Sequence, residues 1–271
     1  MPELPEVETV VVTLQHLIQD KKINDVYVGW DNIIESSSTK EFKEKLINQS
    51  FRKFSRRGKY LLFYLDDFLL VSHLRMEGKF FYYDIPTEKA KHTHVIIKFS
   101  DCSELHYNDT RKFGKMYLYN NLIEFENKHL LGKEPFDSTI TVDYLKEHIK
   151  YKRVSIKQFL LDQRYIVGIG NIYADEICFL AKISPNRQVN TLIDQELLLI
   201  IETTKKVLAE AIKQGGTTVK SYTSAHDVTG LFQQSLNVYG RYGQDCLKCS
   251  TKLEKTKIAG RTTVYCPHCQ R

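Results

Sequence analysis

The sequence has no long apolar run, and no stretch approaches the roughly 18 residues that a membrane-spanning helix requires. Its opening, MPELPEVE, is acidic and carries neither the basic nor the apolar region of a secretory signal. The expectation is a cytoplasmic protein with no membrane partner. Cysteine is sparse over most of the chain, with only Cys102 and Cys178 ahead of residue 246, so a disulfide-stapled secreted scaffold is excluded. Those two stand alone in apolar stretches and read as reduced structural thiols. Internal repeats, low-complexity tracts and coiled-coil heptads are also missing, and a monomer is expected.

What is present supports a sizeable core. A chain of 271 residues can form two core-bearing lobes and an appendage. Lys and Arg number 39 against 33 Asp and Glu, a net of +6, which favours a polyanionic partner.

Residues 6–20 place Val7, Val10, Val11, Leu14, Leu17 and Ile18 at helical spacing, so an amphipathic helix starts almost at the first residue. From 23 to 119 the apolar runs are short and rich in Tyr, Phe, Val and Ile, at 23–28, 60–65, 68–72, 80–83, 94–99, 104–107 and 116–119. This spacing predicts a β-sandwich. After the break at 132–135 longer periodic segments at 142–150, 155–161, 171–180 and 194–213 predict helices. Residues 214–234 mix Gly, Thr, Ser and Asp without period, and read as a mobile functional loop. The fold class is therefore α+β. An N-terminal β-sandwich lobe with its helix spans 1–131, a helical lobe with the loop at about 214–234 spans 132–234, and a metal-bearing finger spans 235–271.

Cys246, Cys249, Cys266 and Cys269 form two CxxC knuckles separated by sixteen residues, the spacing of a zinc ribbon. Four thiolates leave no open coordination position, so one structural Zn2+ is expected and His268 is read as a spectator. Lys252, Lys255, Lys257 and Arg261 lie between the knuckles and suit either a phosphate-facing finger or a solvated hairpin.

Pro2 becomes a secondary amine once Met1 is removed. Such an amine can attack the C1′ carbon of a nucleotide, displace the base and leave an iminium, the electron sink that strand-cleaving elimination needs. Glu3 beside it can move protons. A Pro-Glu start alone carries little meaning.

The strings PELPEVETV at 2–10, RRGKYL at 56–61, SHLRMEGK at 72–79, KHTH at 91–94, DTRKFG at 109–114 and GIGNIYADE at 168–176 change that. With the GGTT and VYGR segments and the terminal ribbon, the chain resembles bacterial formamidopyrimidine-DNA glycosylases over essentially its whole length. The resemblance implies a sandwich bearing the nucleophile, a helix-two-turn-helix lobe and a zinc finger. It also implies removal of oxidised purines from damaged double-stranded DNA, then β,δ-elimination, in a bacterial, nucleoid-associated enzyme.

Residue by residue, the resemblance makes Pro2 the Schiff-base nucleophile, Glu3 the proton donor and Glu6 a supporting carboxylate. Glu6 reads equally as a first-turn acid on the helix dipole. Lys59 is expected to hold the phosphate beside the lesion, and Arg261 to serve the second elimination with a forked clamp. Met76, Arg111 and Phe113 match the trio that fills the gap left by an extruded nucleotide. Asn171 opens a helix and either binds phosphate or caps that helix. His92, Lys152 and Arg153 match or adjoin DNA-contacting positions, and the segment from Thr217 to Leu231 matches the loop that covers the flipped base. Two departures stand out: Lys220 where relatives often carry arginine, and Thr262 where glycine is frequent, a strained choice if that position needs a positive φ.

Two rival readings remain. An endonuclease VIII-like glycosylase for oxidised pyrimidines would share Pro2 and Glu3 but typically opens PEGPE, whereas Leu4 stands here. A non-catalytic zinc-ribbon DNA-binding protein leaves Pro2, Glu3 and Lys59 unexplained.

Overall fold

The computed structural model describes residues 1–217 and 231–271. The chain divides into two compact units, one of Met1–His129 with the segment that begins at Gly215, the other of Leu130–Gln214 and Leu231–Arg271.

The first unit opens with α1, Leu4–Ile18. Val7, Val10, Val11, Leu14 and Ile18 recur at helical spacing and are all buried against β2 and β3. Each such side chain contributes about 1.5–3 kcal/mol when fully buried, so packing rather than propensity fixes the helix. The helix therefore carries its first residues on a rigid mount.

Two antiparallel four-stranded sheets follow. One has the order β1 (Ile23–Val28), β6 (Thr93–Phe99), β7 (Glu104–Asn108), β5 (Lys79–Tyr83); the other has β2 (Lys53–Arg57), β3 (Tyr60–Tyr64), β4 (Leu69–His73), β8 (Lys115–Tyr119). Alternate residues Leu61 and Phe63 of β3, Val95, Ile97 and Phe99 of β6, and Leu105 and Tyr107 of β7 share one buried core. Phe63 and Phe80 meet edge to face at 6.1 Å across the two sheets, and Phe80 meets Tyr107 at 5.1 Å. This is the expected sandwich. Beyond the predicted elements it contains β2 and two short helices, α2 (Thr39–Leu46) and α3 (Leu122–Lys128).

The second unit holds α4 (Val142–Ile149), α5 (Ile156–Leu161), α6 (Asn171–Leu180) and α7 (Asp194–Lys213), with α6 packed on α5 and α7. Thr141 and Ser155 cap α4 and α5 by accepting from Tyr144 and Gln158 N–H groups. The finger is the hairpin β9 (Glu254–Ile258) and β10 (Arg261–Tyr265), and β10 packs on α6.

These units differ from the sequence-based division in two ways. The finger shares a core with the helices, because Phe179 of α6 packs with Val238, Leu253, Val264, Cys246 and Cys266. Gly215–Thr217 group with the sandwich because Thr217 bonds to Glu6. Residues 218–230 of the loop, including Lys220, lie outside the described residues. Cys178 is buried as expected, whereas Cys102 is exposed in the turn between β6 and β7, with φ 68.

Candidate active site

The N-cap of α1 is Glu3, followed by Leu4, Pro5 and Glu6, with proline in the first turn where its missing N–H costs nothing. Glu3 and Glu6 form a reciprocal capping box, and the Glu3 N–H donates to Glu6 Oε2 at 2.9 Å. Both carboxylates are buried, and Pro2 is half-buried just ahead of them. Glu6 does more than answer the helix dipole. Its Oε1 accepts the Thr217 N–H at 2.8 Å and the Thr217 hydroxyl at 3.1 Å, across 211 residues of sequence. Gly216 has φ +78, and a Cβ there would stand 2.7 Å from Glu6 Oε1, so only glycine allows this approach. One carboxylate thus ties the head of α1 to Thr217.

Lys59 lies in the tight turn between β2 and β3, after Gly58 at φ 56, and is only 6% exposed. Near its charge is His73, which sequence reasoning left unassigned. Burial, with Arg75 and Lys59 adding like charge, pushes this imidazole down to about 3, so it is neutral at pH 7. Its Nδ1 accepts the Arg75 N–H at 3.0 Å and stabilises Arg75 in a left-handed conformation, φ 53, at the turn that presents Met76.

Met76, Arg111 and Phe113 are exposed and assembled. Arg111 Nη1 donates to Met76 Sδ at 3.0 Å, and its guanidinium lies 4.8 Å from the Phe113 ring centroid. The organiser of this cluster is Asp109, which is buried. Its carboxylate accepts the N–H groups of Arg111 (2.9 Å), Phe113 (2.9 Å) and Gly114 (2.8 Å). His92 is half-buried beside it, its carbonyl accepting the Asp109 N–H at 3.0 Å. A methionine and a phenylalanine left exposed on two neighbouring turns are the opposite of core residues; they suit insertion into a base stack.

In the second unit Gly170 is the N-cap of α6, so Asn171 occupies the first helical position and does not cap it. Its Nδ2 donates instead to the Thr262 carbonyl at 3.1 Å, next to Arg261 in the finger. Gln163 shapes the approach, accepting the Gly168 N–H at 2.8 Å and donating to the Ile169 carbonyl at 2.9 Å. Thr262 needs no positive φ. Thr262 lies in β10 opposite Lys257, and the left-handed positions of the hairpin turn fall on Ala259 (φ 47) and Gly260 (φ 75). Arg261 is exposed, as is Arg153, while Lys152 is half-buried with its ammonium 5.0 Å from the Tyr165 ring.

A buried ion pair fixes the finger hairpin. Lys157 of α5 pairs with Asp175 of α6 at 2.6 Å, both fully buried, and donates to Thr263 Oγ1 at 2.7 Å and the Thr262 carbonyl at 3.3 Å. Asp175 also accepts the Val264 N–H at 3.1 Å. Burial pushes its carboxyl up to about 7, opposed by Lys157 and by that N–H. The next carboxylate, Glu176, accepts from the N–H groups of Asn237, Val238 and Tyr239 at 2.9–3.1 Å. Adjacent acids on one helix thus hold two separate segments.

The Sγ atoms of Cys246, Cys249, Cys266 and Cys269 all lie within 4.8 Å of one another, with 3.9 Å between Cys246 and Cys269 and 3.5 Å between Cys249 and Cys266. Tetrahedral zinc with Zn–S bonds of about 2.3 Å places sulfurs about 3.8 Å apart, so the four thiols fit one Zn2+. His268 is exposed and outside this cluster.

Three family models match in order: the formamidopyrimidine-DNA glycosylase N-terminal domain at residues 1–116, its H2TH domain at 131–223, and the zinc finger found in FPG and IleRS at 243–271. A formamidopyrimidine-DNA glycosylase of Bacillus cereus is 46% identical, covering 100% of this chain and 99% of its own. The chain belongs to the formamidopyrimidine-DNA glycosylase family. A Lactococcus lactis member, solved as a variant with a Fapy-dG containing DNA, matches at TM-score 0.94 and 37% identity over 100% of both chains. The same protein with an abasic site containing DNA matches at TM-score 0.92 and 36% identity over 99% of both chains. Family membership fixes the reading of the zinc ribbon as one structural metal site. It also sets aside the non-catalytic ribbon protein, for which a match confined to the finger would have sufficed.

Proposed function

We propose that this chain is a base-excision repair glycosylase and abasic-site lyase. It removes 8-oxoguanine and formamidopyrimidines from duplex DNA with Pro2 as nucleophile. The observation that carries the proposal is the head of α1, where Pro2 immediately precedes two buried carboxylates locked in a capping box. With Met1 removed, the Pro2 nitrogen bonds to C1′ of the damaged nucleotide as the bond from C1′ to the base breaks. Glu3 supplies a proton to the departing base or to the opening sugar oxygen. The iminium then draws electrons as C2′ loses a proton and the C3′–O bond breaks; a second elimination breaks the C5′–O bond. Lys59 serves the first elimination and Arg261 the second by holding phosphates. Zinc keeps the finger folded and takes no part in bond making.

Met76, Arg111 and Phe113 occupy the gap left by the extruded nucleotide, with Arg111 bonding to the unpaired base. Asn171, His92, Lys152 and Arg153 hold the backbone, and the loop at about 214–234 covers the flipped base. The working domains follow as 1–131, 132–234 and 235–271, in a monomer that acts in the bacterial cytoplasm on nucleoid DNA. No described helix is long and apolar enough to cross a membrane.

The test is product analysis on 5′-labelled duplexes. An 8-oxoguanine:cytosine duplex should yield a one-nucleotide gap with phosphate at both ends. Cleavage of an oxidised-pyrimidine duplex with the 8-oxoguanine duplex left intact would move the substrate class to pyrimidines. Binding without cleavage of either would remove the catalytic reading.

A further inference from the structure

The protein has one tryptophan, and it stands beside the turn that carries Arg111 and Phe113. Trp30 follows β1, half-buried, and packs against the sandwich core. Lys112 places its ammonium 5.5 Å from the Trp30 ring centroid, within cation–π range. His94 lies 5.9 Å from the same ring, and its Nε2 is 2.9 Å from the Asp109 carbonyl. The first and the middle residues of the 109–114 turn are therefore both linked to this indole. Lys115 also approaches it, at 5.9 Å, but its ammonium is engaged by the Asn32 carbonyl at 2.7 Å and by Glu35.

Lys112 has a left-handed backbone, φ 56, between two residues that face elsewhere. Arg111 lies on Phe113 and Met76, whereas Lys112 lies on Trp30. A left-handed lysine is conformationally costly, and a partner that holds its side chain offsets that cost. The sequence thus alternates a residue for the wedge with a residue that anchors the turn.

We propose that Trp30 is a positioning residue for the wedge: it holds Lys112, and through that contact keeps Arg111 and Phe113 in the geometry that enters the base stack. This rests on the reading of Met76, Arg111 and Phe113 as the gap-filling set. Trp30 and Lys112 act on the turn before DNA arrives, so their loss disorders the wedge without removing a phosphate contact. The affected quantity is the preference for DNA with an unstacked site over intact DNA.

Dissociation constants for a duplex with a tetrahydrofuran abasic analogue and for the intact duplex, over a range of salt, decide the matter. The proteins are the wild type, Lys112→Gln, Trp30→Leu, the double variant and Arg111→Ala. Affinity for the abasic duplex should fall about two- to five-fold in each of the Trp30 and Lys112 variants, the size of one partly exposed cation–π contact. The double variant should be no worse than Trp30→Leu, because that change already removes the Lys112 contact along with those to His94 and Lys115. Intact-duplex affinity and the salt slope should not change. A slope lowered by about 0.9 in Lys112→Gln would make Lys112 a phosphate ligand and overturn the proposal. Additive losses, or an unchanged abasic preference in Lys112→Gln, would overturn it too. Lys112 is exposed, so its variant carries the test even if Trp30→Leu folds poorly. If Arg111→Ala also keeps the abasic preference, the wedge reading fails; if only Arg111→Ala loses it, the positioning role of Trp30 alone fails.

Discussion

Replacing Lys157 by methionine should destabilise the second unit severely. Its ammonium is fully buried, 2.6 Å from Asp175, and bonded to Thr263 and Thr262. Methionine keeps most of the apolar stem, so packing changes little, but Asp175 is left buried and must either take up a proton or keep its charge with only the Val264 N–H beside it. Breaking one side of a buried pair costs about 3–5 kcal/mol, against a typical domain stability of about 5–15 kcal/mol.

The pH dependence follows from Asp175. Its folded carboxyl already sits near 7, above the ordinary 3.8, with Lys157 pulling it down. A carboxyl raised on folding contributes stability that is full below the unfolded value and lost as pH rises through the folded one. Removing Lys157 raises the folded value further, so the deficit against wild type should widen from pH 6 to pH 8. Urea unfolding at several pH values, followed by far-UV circular dichroism, measures this. Lys157→Met with Asp175→Leu should recover most of the loss, since neither charge is then stranded. A single variant within about 0.5 kcal/mol of wild type, or a double variant no better than the single one, would show that the Lys157–Asp175 pair does not hold the unit together.

Other perturbations have equally direct outcomes. Glu6→Ala removes the acceptor for Glu3 and Thr217 and should slow 8-oxoguanine excision at least ten-fold, roughly the effect of one or two charge-assisted bonds of about 1.5–3 kcal/mol; an unchanged single-turnover rate would contradict the tie. Gly216→Ala places a Cβ 2.7 Å from Glu6 Oε1 at a positive φ, so the same rate should fall without loss of zinc, as measured by metal analysis. Chelation of zinc, or Cys249→Ser, should unfold the finger and abolish binding to abasic duplex, while the sandwich keeps its β-sheet circular dichroism; retained binding would remove the finger from the interface.

Much of the fold is legible in the sequence because its signals are local. Five core residues of α1 recur at helical spacing, and residues 171–180 and 194–213 match α6 and α7. β2 escapes because KFSRR carries one buried apolar side chain, Phe54, among cations. α2 escapes because TKEFKEKL buries only Phe42 and Leu46, one turn apart. The four cysteines are legible through their CxxC spacing, and the residues proposed for the chemistry, Pro2, Glu3, Lys59, Met76, Arg111 and Phe113, stand out through their motifs. Their supports are not. Asp109 looks like any turn acid, Lys157 like a surface lysine and Asp175 like a helix acid until distant segments converge. The Glu6 to Thr217 bond spans 211 residues, and no local pattern encodes such a contact.

The proposed mechanism stands on Pro2 as the nucleophile. Borohydride reduction of the protein on an 8-oxoguanine:cytosine duplex tests it directly, with Pro2→Gly and a Met1-retaining form alongside. A covalent protein–DNA band is expected with the processed wild type, none when Met1 blocks the amine, and a strongly reduced one with glycine. A band of equal strength from the Met1-retaining form would place the nucleophile elsewhere and contradict that mechanism.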